Sequence, residues 1–406
     1  MKCKAVRAAI LGVLMTVAAG VPLGAQGEAQ PGLDWTRVTE RDLNVASVFL
    51  TARDRGPRAA LDSLERLAAQ DPWILGKGHQ LAHTIGRYAM EKRKDLAVLG
   101  ECTPRFQSGC FHGVLEGYFL QGGTIDRASV ANVCVGPVVR GFERMECWHG
   151  LGHGLMVHHA GNFRQALDIC DALQEDQPRR ECQDGIFMER AIRAMGAASI
   201  NVGDGPGIGH AHGAEGHADH AATRGLSAAD KQDGAGRFVA KIGARTEREQ
   251  LCSGVDAGHQ PSCWAYQSLV LMSLTWPDYS RALRGCDAAP ANAVDDCYQG
   301  FGKQILGGTF GDVPRMIAEC RKGDPAHATD CLMGGVEYFT DLDWRIEPGI
   351  DFCRQVPGEA KARCYEMIGA RLTLAHTEPE PVRAACRQVE PAYVRACLAG
   401  AGMRES

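Results

Sequence analysis

Along this chain, short apolar stretches that fit a helix close on a cysteine, cross a polar loop and resume as a second helix at another cysteine. RALRGC, Arg281 to Cys286, and PRMIAEC, Pro314 to Cys320, end first helices of this kind. Eight such pairs follow one another: Cys102/Cys110, Cys134/Cys147, Cys170/Cys182, Cys252/Cys263, Cys286/Cys297, Cys320/Cys331, Cys353/Cys364 and Cys386/Cys397. From Cys252 onward ten residues separate the members of each pair, and the first members recur at steps of 34, 34, 33 and 33 residues. A fixed period of that size predicts an all-α solenoid of helix-turn-helix repeats, each hairpin burying its apolar face against its neighbours. The length matches a tetratricopeptide-type unit, but that family's Trp, Gly, Tyr and Pro markers are missing, so the class follows and the family does not.

Before the first cysteine pair, one helix is expected over about Glu40 to Arg53, then a hairpin of Arg58 to Ala69 and Leu75 to Met90. Lys77 takes the place of the second cysteine there, which sets His79 in line with His112 and His149. Between Cys170 and Cys252 the period breaks, and residues 196–236 hold a Gly- and His-rich tract with His210, His212, His217 and His220. That composition reads as a flexible insertion, either a loose metal-capturing loop or low-complexity filler. The array is expected over 26–195 and again over 237–406.

The first 25 residues change the compartment. Lys2, Lys4 and Arg7 precede an apolar run from Ala8 to about Leu23, and Gly24-Ala25 offers small residues for cleavage, the order of a secretory signal. The run is shorter than the roughly 20 residues of a spanning helix, so no membrane association is expected after cleavage. Loss of Cys3 leaves sixteen of the 17 cysteines, an even number suited to disulfides in a secreted or periplasmic protein. A disulfide within each pair would staple its hairpin. Zinc held by thiolates would instead want cysteines two to four apart, and none are. The formal charge of −5 becomes −8 without Lys2, Lys4 and Arg7, there being no acid before residue 26, which gives no reason to expect nucleic acid as a partner.

Chemistry concentrates between residues 79 and 153. His79 and His83, His112 and Glu116, and His149 and His153 are each spaced i, i+4, so each pair shares one helix face. Counting from the second cysteine, the +2 slot reads His112, His149, Asp184, Ala265, Gln299, Met333, Glu366 and Ala399. The +6 slot reads Glu116, His153, Met188, Leu269, Lys303, Glu337, Ala370 and Met403. Histidine required by the repeat itself would recur along the array. It does not, and five of the 14 histidines fall in the six early positions. The expected ligands are therefore His79, His83, His112, Glu116, His149 and His153, holding one or two ions, with two ions sharing the His112/Glu116 helix. Imidazole with carboxylate suits zinc, iron, manganese or copper and argues against calcium or magnesium, and iron, copper or zinc is expected.

Glu116 and Asp184 are the candidates for proton transfer, with Glu189 a weaker one. Each HxxxH lacks the glutamate that HExxH metalloproteases use as base. Three functions fit the pattern. The first is a metalloenzyme, oxidative or hydrolytic, acting on an unidentified small molecule or peptide. The others are a metal-binding or delivery protein and a helical-repeat interaction scaffold.

Overall fold

The computed structural model describes residues 39–135, 139–195, 250–275, 278–309, 311–342, 344–376 and 378–404. The expected signal segment and the 196–236 insertion with its four histidines lie outside the described residues. Everything regular within them is helical. All eight sequential cysteine pairs are bonded, with Cα–Cα separations of 5.5 to 5.8 Å.

The second helix of each hairpin builds the inner wall. These are α1 (Gly78–Arg93), α2 (Gly109–Leu120), α3 (Phe142–His158), α4 (Asp176–Ala194) and α5 (Gln260–Thr275). They continue as α6 (Val294–Gly308), α7 (Ala328–Asp341), α8 (Gly358–Ala375) and α9 (Val394–Gly400). Each packs on the next in sequence. The first helices, such as Phe163–Cys170, Tyr279–Arg284 and Val313–Cys320, lie outside. Their starts repeat as regularly as the cysteines. Asn162, Asp278 and Asp312, each eight residues before a first cysteine, accept from the N3 backbone N–H of Gln165, Arg281 and Arg315 at 3.4, 3.0 and 3.0 Å. That satisfies one of the donors a helix start leaves open. The two early cysteine hairpins differ: before Cys102 and Cys134 there is only 3-10 turn, Leu96–Glu101 and Val130–Asn132.

Glycine brings neighbouring inner helices into backbone contact. A Cβ on Gly113 would fall 1.9 Å from the His83 carbonyl oxygen, one on Gly185 2.0 Å from that of His149, and one on Gly334 2.1 Å from that of Gln299. Each of these glycines lies three residues after its own second cysteine, and His149 and Gln299 both occupy the +2 slot. His83 therefore holds the +2 slot of its repeat. The expected alignment through Lys77 is one helical turn out: His79 lies a turn before the row of His112 and His149. With no cysteine in this hairpin to act as ruler, a one-turn slip preserves the helical face and cannot be read from spacing.

The array also curls until it meets itself. α8 packs against α3, where Arg371 lies over the Phe142 ring at 5.3 Å and reaches Met145 Sδ at 3.5 Å. Arg371 also donates to Thr340 Oγ1 at 3.1 Å and pairs with Asp341. Helices α3 to α8 thus close a ring around a polar hollow, while α1 and α2 extend it on the α3 side. The main hydrophobic core runs from Val45 to Leu398, with a small separate cluster of Ala191, Leu251 and Val270.

Candidate metal centre

α1, α2 and α3 bring all five predicted histidines into one cluster. Ring centroids are 4.6 Å apart for His79/His83, 4.9 Å for His83/His112, 4.5 Å for His112/His153 and 5.2 Å for His149/His153. The disulfides at Cys110 and Cys147 pin the first turn of α2 and the second turn of α3, two residues before His112 and His149. His83, His112 and His153 are buried, at 3, 2 and 0 % exposure, whereas His79 and His149 are partly open. Two overlapping groups could hold a metal ion: His79, His83 and His112, and His112, His149 and His153. His112 belongs to both.

His79 Nδ1 lies 2.9 Å from the Phe106 carbonyl, which can only accept, so that nitrogen carries the proton and a neutral His79 leaves Nε2 as a bare lone pair. His83 Nδ1 lies 3.0 Å from Glu116 Oε1, whose other oxygen accepts from Arg87 NH1 at 3.2 Å. With Glu116 ionised against Arg87, His83 Nδ1 also carries its proton and Nε2 is bare. The two Nε2 atoms then face each other at 3.1 Å, and His112 Nδ1 lies 3.2 Å from His83 Nε2. Nitrogens bound to one ion at about 2.0–2.1 Å sit about 2.9–3.4 Å apart, so this spacing is that of a coordination edge.

The second group repeats the arrangement. His153 Nδ1 is 3.3 Å from Glu189 Oε2, and Arg193 Nε donates to Glu189 Oε1 at 2.7 Å. His153 Nε2 and His112 Nε2 are buried without a hydrogen-bond partner. Met188 Sδ lies 3.4 Å from His149 Nε2, and Glu146 Oε2 lies 3.9 Å from His112 Nε2.

Electrostatics favours the neutral form of four of the rings. Burial, helped by neighbouring histidines, lowers His79 to about 3 and holds His83, His112 and His149 well below their ordinary value. Burial pushes Glu116 up to about 7 against the pull of Arg87, and pushes Glu146 up to about 7 against Lys303 and Arg371. A cation among the rings would favour the ionised carboxylates.

Backbone strain is concentrated at one edge of the cluster. Phe106, Gln107 and Ser108 are three consecutive non-glycine residues at φ of 55°, 53° and 59°. Each costs roughly 1–2 kcal/mol in that region. The turn aims the Phe106 carbonyl at His79 and lays its ring on α1, where a Cβ at Gly78 would come 2.2 Å from Phe106 Cδ1.

Of the six expected ligands, the five histidines converge, and Glu116 lies behind His83, on Nδ1. Asp184 is on the hollow side, 3.5 Å from Arg180 Nε, without a hydrogen bond or ion pair to any of the five rings among the described residues. Glu189 takes the same place behind His153 that Glu116 takes behind His83. Glu146, three residues before His149, faces the cluster from the hollow and lies outside the +2 and +6 slots. The E-x-x-H-x-x-x-H spacing of Glu146, His149 and His153 was the available signal. No known protein family, curated protein or solved structure matches the chain.

Proposed function

We propose that this protein is a secreted or periplasmic metalloenzyme that holds one or two ions of iron, copper or zinc among His79, His83, His112, His149 and His153. The carrying observation is the pair of Nε2 atoms 3.1 Å apart while His79 Nδ1 must donate to the Phe106 carbonyl and His83 Nδ1 faces the Glu116 carboxylate held by Arg87. Facing lone pairs repel unless a cation or proton lies against them, and desolvation disfavours the proton.

Glu116 and Glu189 act in this reading as the acceptors that fix tautomer and ring orientation, with Arg87 and Arg193 holding them in turn. An ion held there would supply Lewis acidity or redox chemistry. Glu146 and Asp184, on the hollow side, are placed to accept or return a proton. The Met188 thioether beside His149 favours copper at that end of the cluster.

Three of the five rings are almost completely buried, which disfavours the rapid exchange a delivery protein needs. Closure of α8 on α3 turns the concave face into an enclosed hollow and removes the open groove along which solenoid scaffolds lay their partners. Eight disulfides fit an oxidising compartment, and among the described residues no helix is long and apolar enough to cross a membrane.

The test is elemental analysis of the mature protein purified without a histidine tag. One or two equivalents of a transition metal are expected. A protein that leaves purification metal-free, and takes up none of the three metals on dialysis, would end this reading.

A further inference from the structure

The ring of α3 to α8 encloses charges that act on one another across the hollow. Glu146 of α3, Glu181 and Asp184 of α4 and Glu337 of α7 all act on the Tyr266 phenol of α5, and Arg371 of α8 acts on Glu181 from a helix that is not its neighbour. Six carboxyl groups line this space, against three cationic side chains.

The cations are already taken. Asp341 pairs with Lys303 at 2.8 Å and with Arg371, while Arg180 pairs with Asp296 at 2.6 Å and reaches Asp184 at 3.5 Å. Glu337 accepts from Gln299 at 2.7 Å and has Lys303 at 3.9 Å. Glu146 and Glu181 have no Lys or Arg within ion-pairing distance among the described residues.

A second observation points into the same space. Ser108 and Ser262 are each 1 % exposed; they lie against Glu146 and Asp184, and neither hydroxyl completes a hydrogen bond. The Trp344 indole also stands beside Glu146. Enclosed polar atoms without partners are few in native proteins, and Ser108 Oγ and Ser262 Oγ are two of those in this molecule.

We infer that this hollow is a binding chamber for a small organic cation, an ammonium-bearing molecule whose charge is received between Glu146 and Glu181. An ammonium group brings three donors and no acceptor, which matches two carboxyl groups with no Lys or Arg on them and two buried serine oxygens beside the acids. Tyr266 and Trp344 add aromatic faces that attract organic cations. Tyr266 lies 6.2 Å from the His149 ring and Glu146 lies 3.9 Å from His112 Nε2, so the chamber opens directly on the histidine cluster. As a substrate site it rests on the metalloenzyme reading; as a binding site it stands without it.

Isothermal titration calorimetry of the purified full-length protein, as isolated and after chelation, would use ethanolamine, putrescine and phenethylamine, with ethylene glycol and acetate as uncharged and anionic controls and calcium as an inorganic cation. At least one amine is expected to bind, the controls are not, and Glu181→Gln is expected to weaken that amine at least tenfold while metal content stays unchanged. Ser262→Ala, which removes only a hydroxyl, serves as a second variant and should weaken it by a smaller factor. Binding of calcium in place of the amines, binding of none of the three amines, or amine affinity unmoved in both variants would overturn the chamber. Amine binding by a protein that holds no metal would keep the chamber and overturn the metalloenzyme instead.

Discussion

The same slots carry opposite chemistry in two parts of the array. In α6 the +2 and +6 positions hold Gln299 and Lys303, which meet Glu337 and Asp341 of α7 at 2.7 and 2.8 Å, so donors face acceptors and nothing further is needed. Around α1 to α3, His83 and His153 in these slots turn Nδ1 onto Glu116 and Glu189, and His79, one turn before its slot, turns Nδ1 onto the Phe106 carbonyl. The backbone frame is shared, down to the glycine contacts of Gly113 and Gly334. A repeat supplies positions, and whether a position becomes a site depends on whether its neighbours leave a lone pair without a proton.

Substitutions sharpen that contrast, and the largest effect is expected at His112, which belongs to both groups. His112→Ala should remove nearly all bound metal in elemental analysis while far-ultraviolet circular dichroism stays unchanged, whereas Gln299→Ala, in the same slot, should leave metal content alone. His79→Ala and His149→Ala come next. With two ions each should lose about one equivalent, and with a single ion both should lose the same one, so paired stoichiometries decide the number.

Glu116→Gln and Glu189→Gln keep shape while weakening the acceptor behind a ring. Each should lower metal affinity about 10- to 100-fold in a chelator competition, with stoichiometry retained at saturating metal. Acid should be less effective than at an exposed histidine site. The folded pKa values of His79, His83, His112 and His149 are depressed, so protons compete for those nitrogens only as pH falls well below the ordinary 6.5. Half-release of metal on stepwise acidification is therefore expected more than one pH unit under 6.5; release centred at 6.5 would contradict the burial of the rings.

The smallest effect on metal is expected from the far side of the frame. Replacing Cys353 and Cys364 together by serine should cost about 3 kcal/mol of stability in denaturant unfolding by the chain-entropy estimate, with metal content unaltered. If metal were lost as well, ring closure through α8 would be holding the cluster together.

The sequence by itself determined the staples and the ligand pairs. Cysteines eight to thirteen residues apart on the two arms of a hairpin have no nearer partners, and i, i+4 histidines must share a helix face. It did not determine which nitrogen of each ring is free, because that is set by the Phe106 carbonyl from a left-handed turn and by carboxylates on the next helix. Nor did it determine the register of α1, where a slip of one turn keeps every side chain on its face. The hollow was hidden for the plainest reason: Arg371 and Met145 meet 226 residues apart, and a chain's local pattern records its helices but not how far the small rotation from each repeat to the next will carry them round.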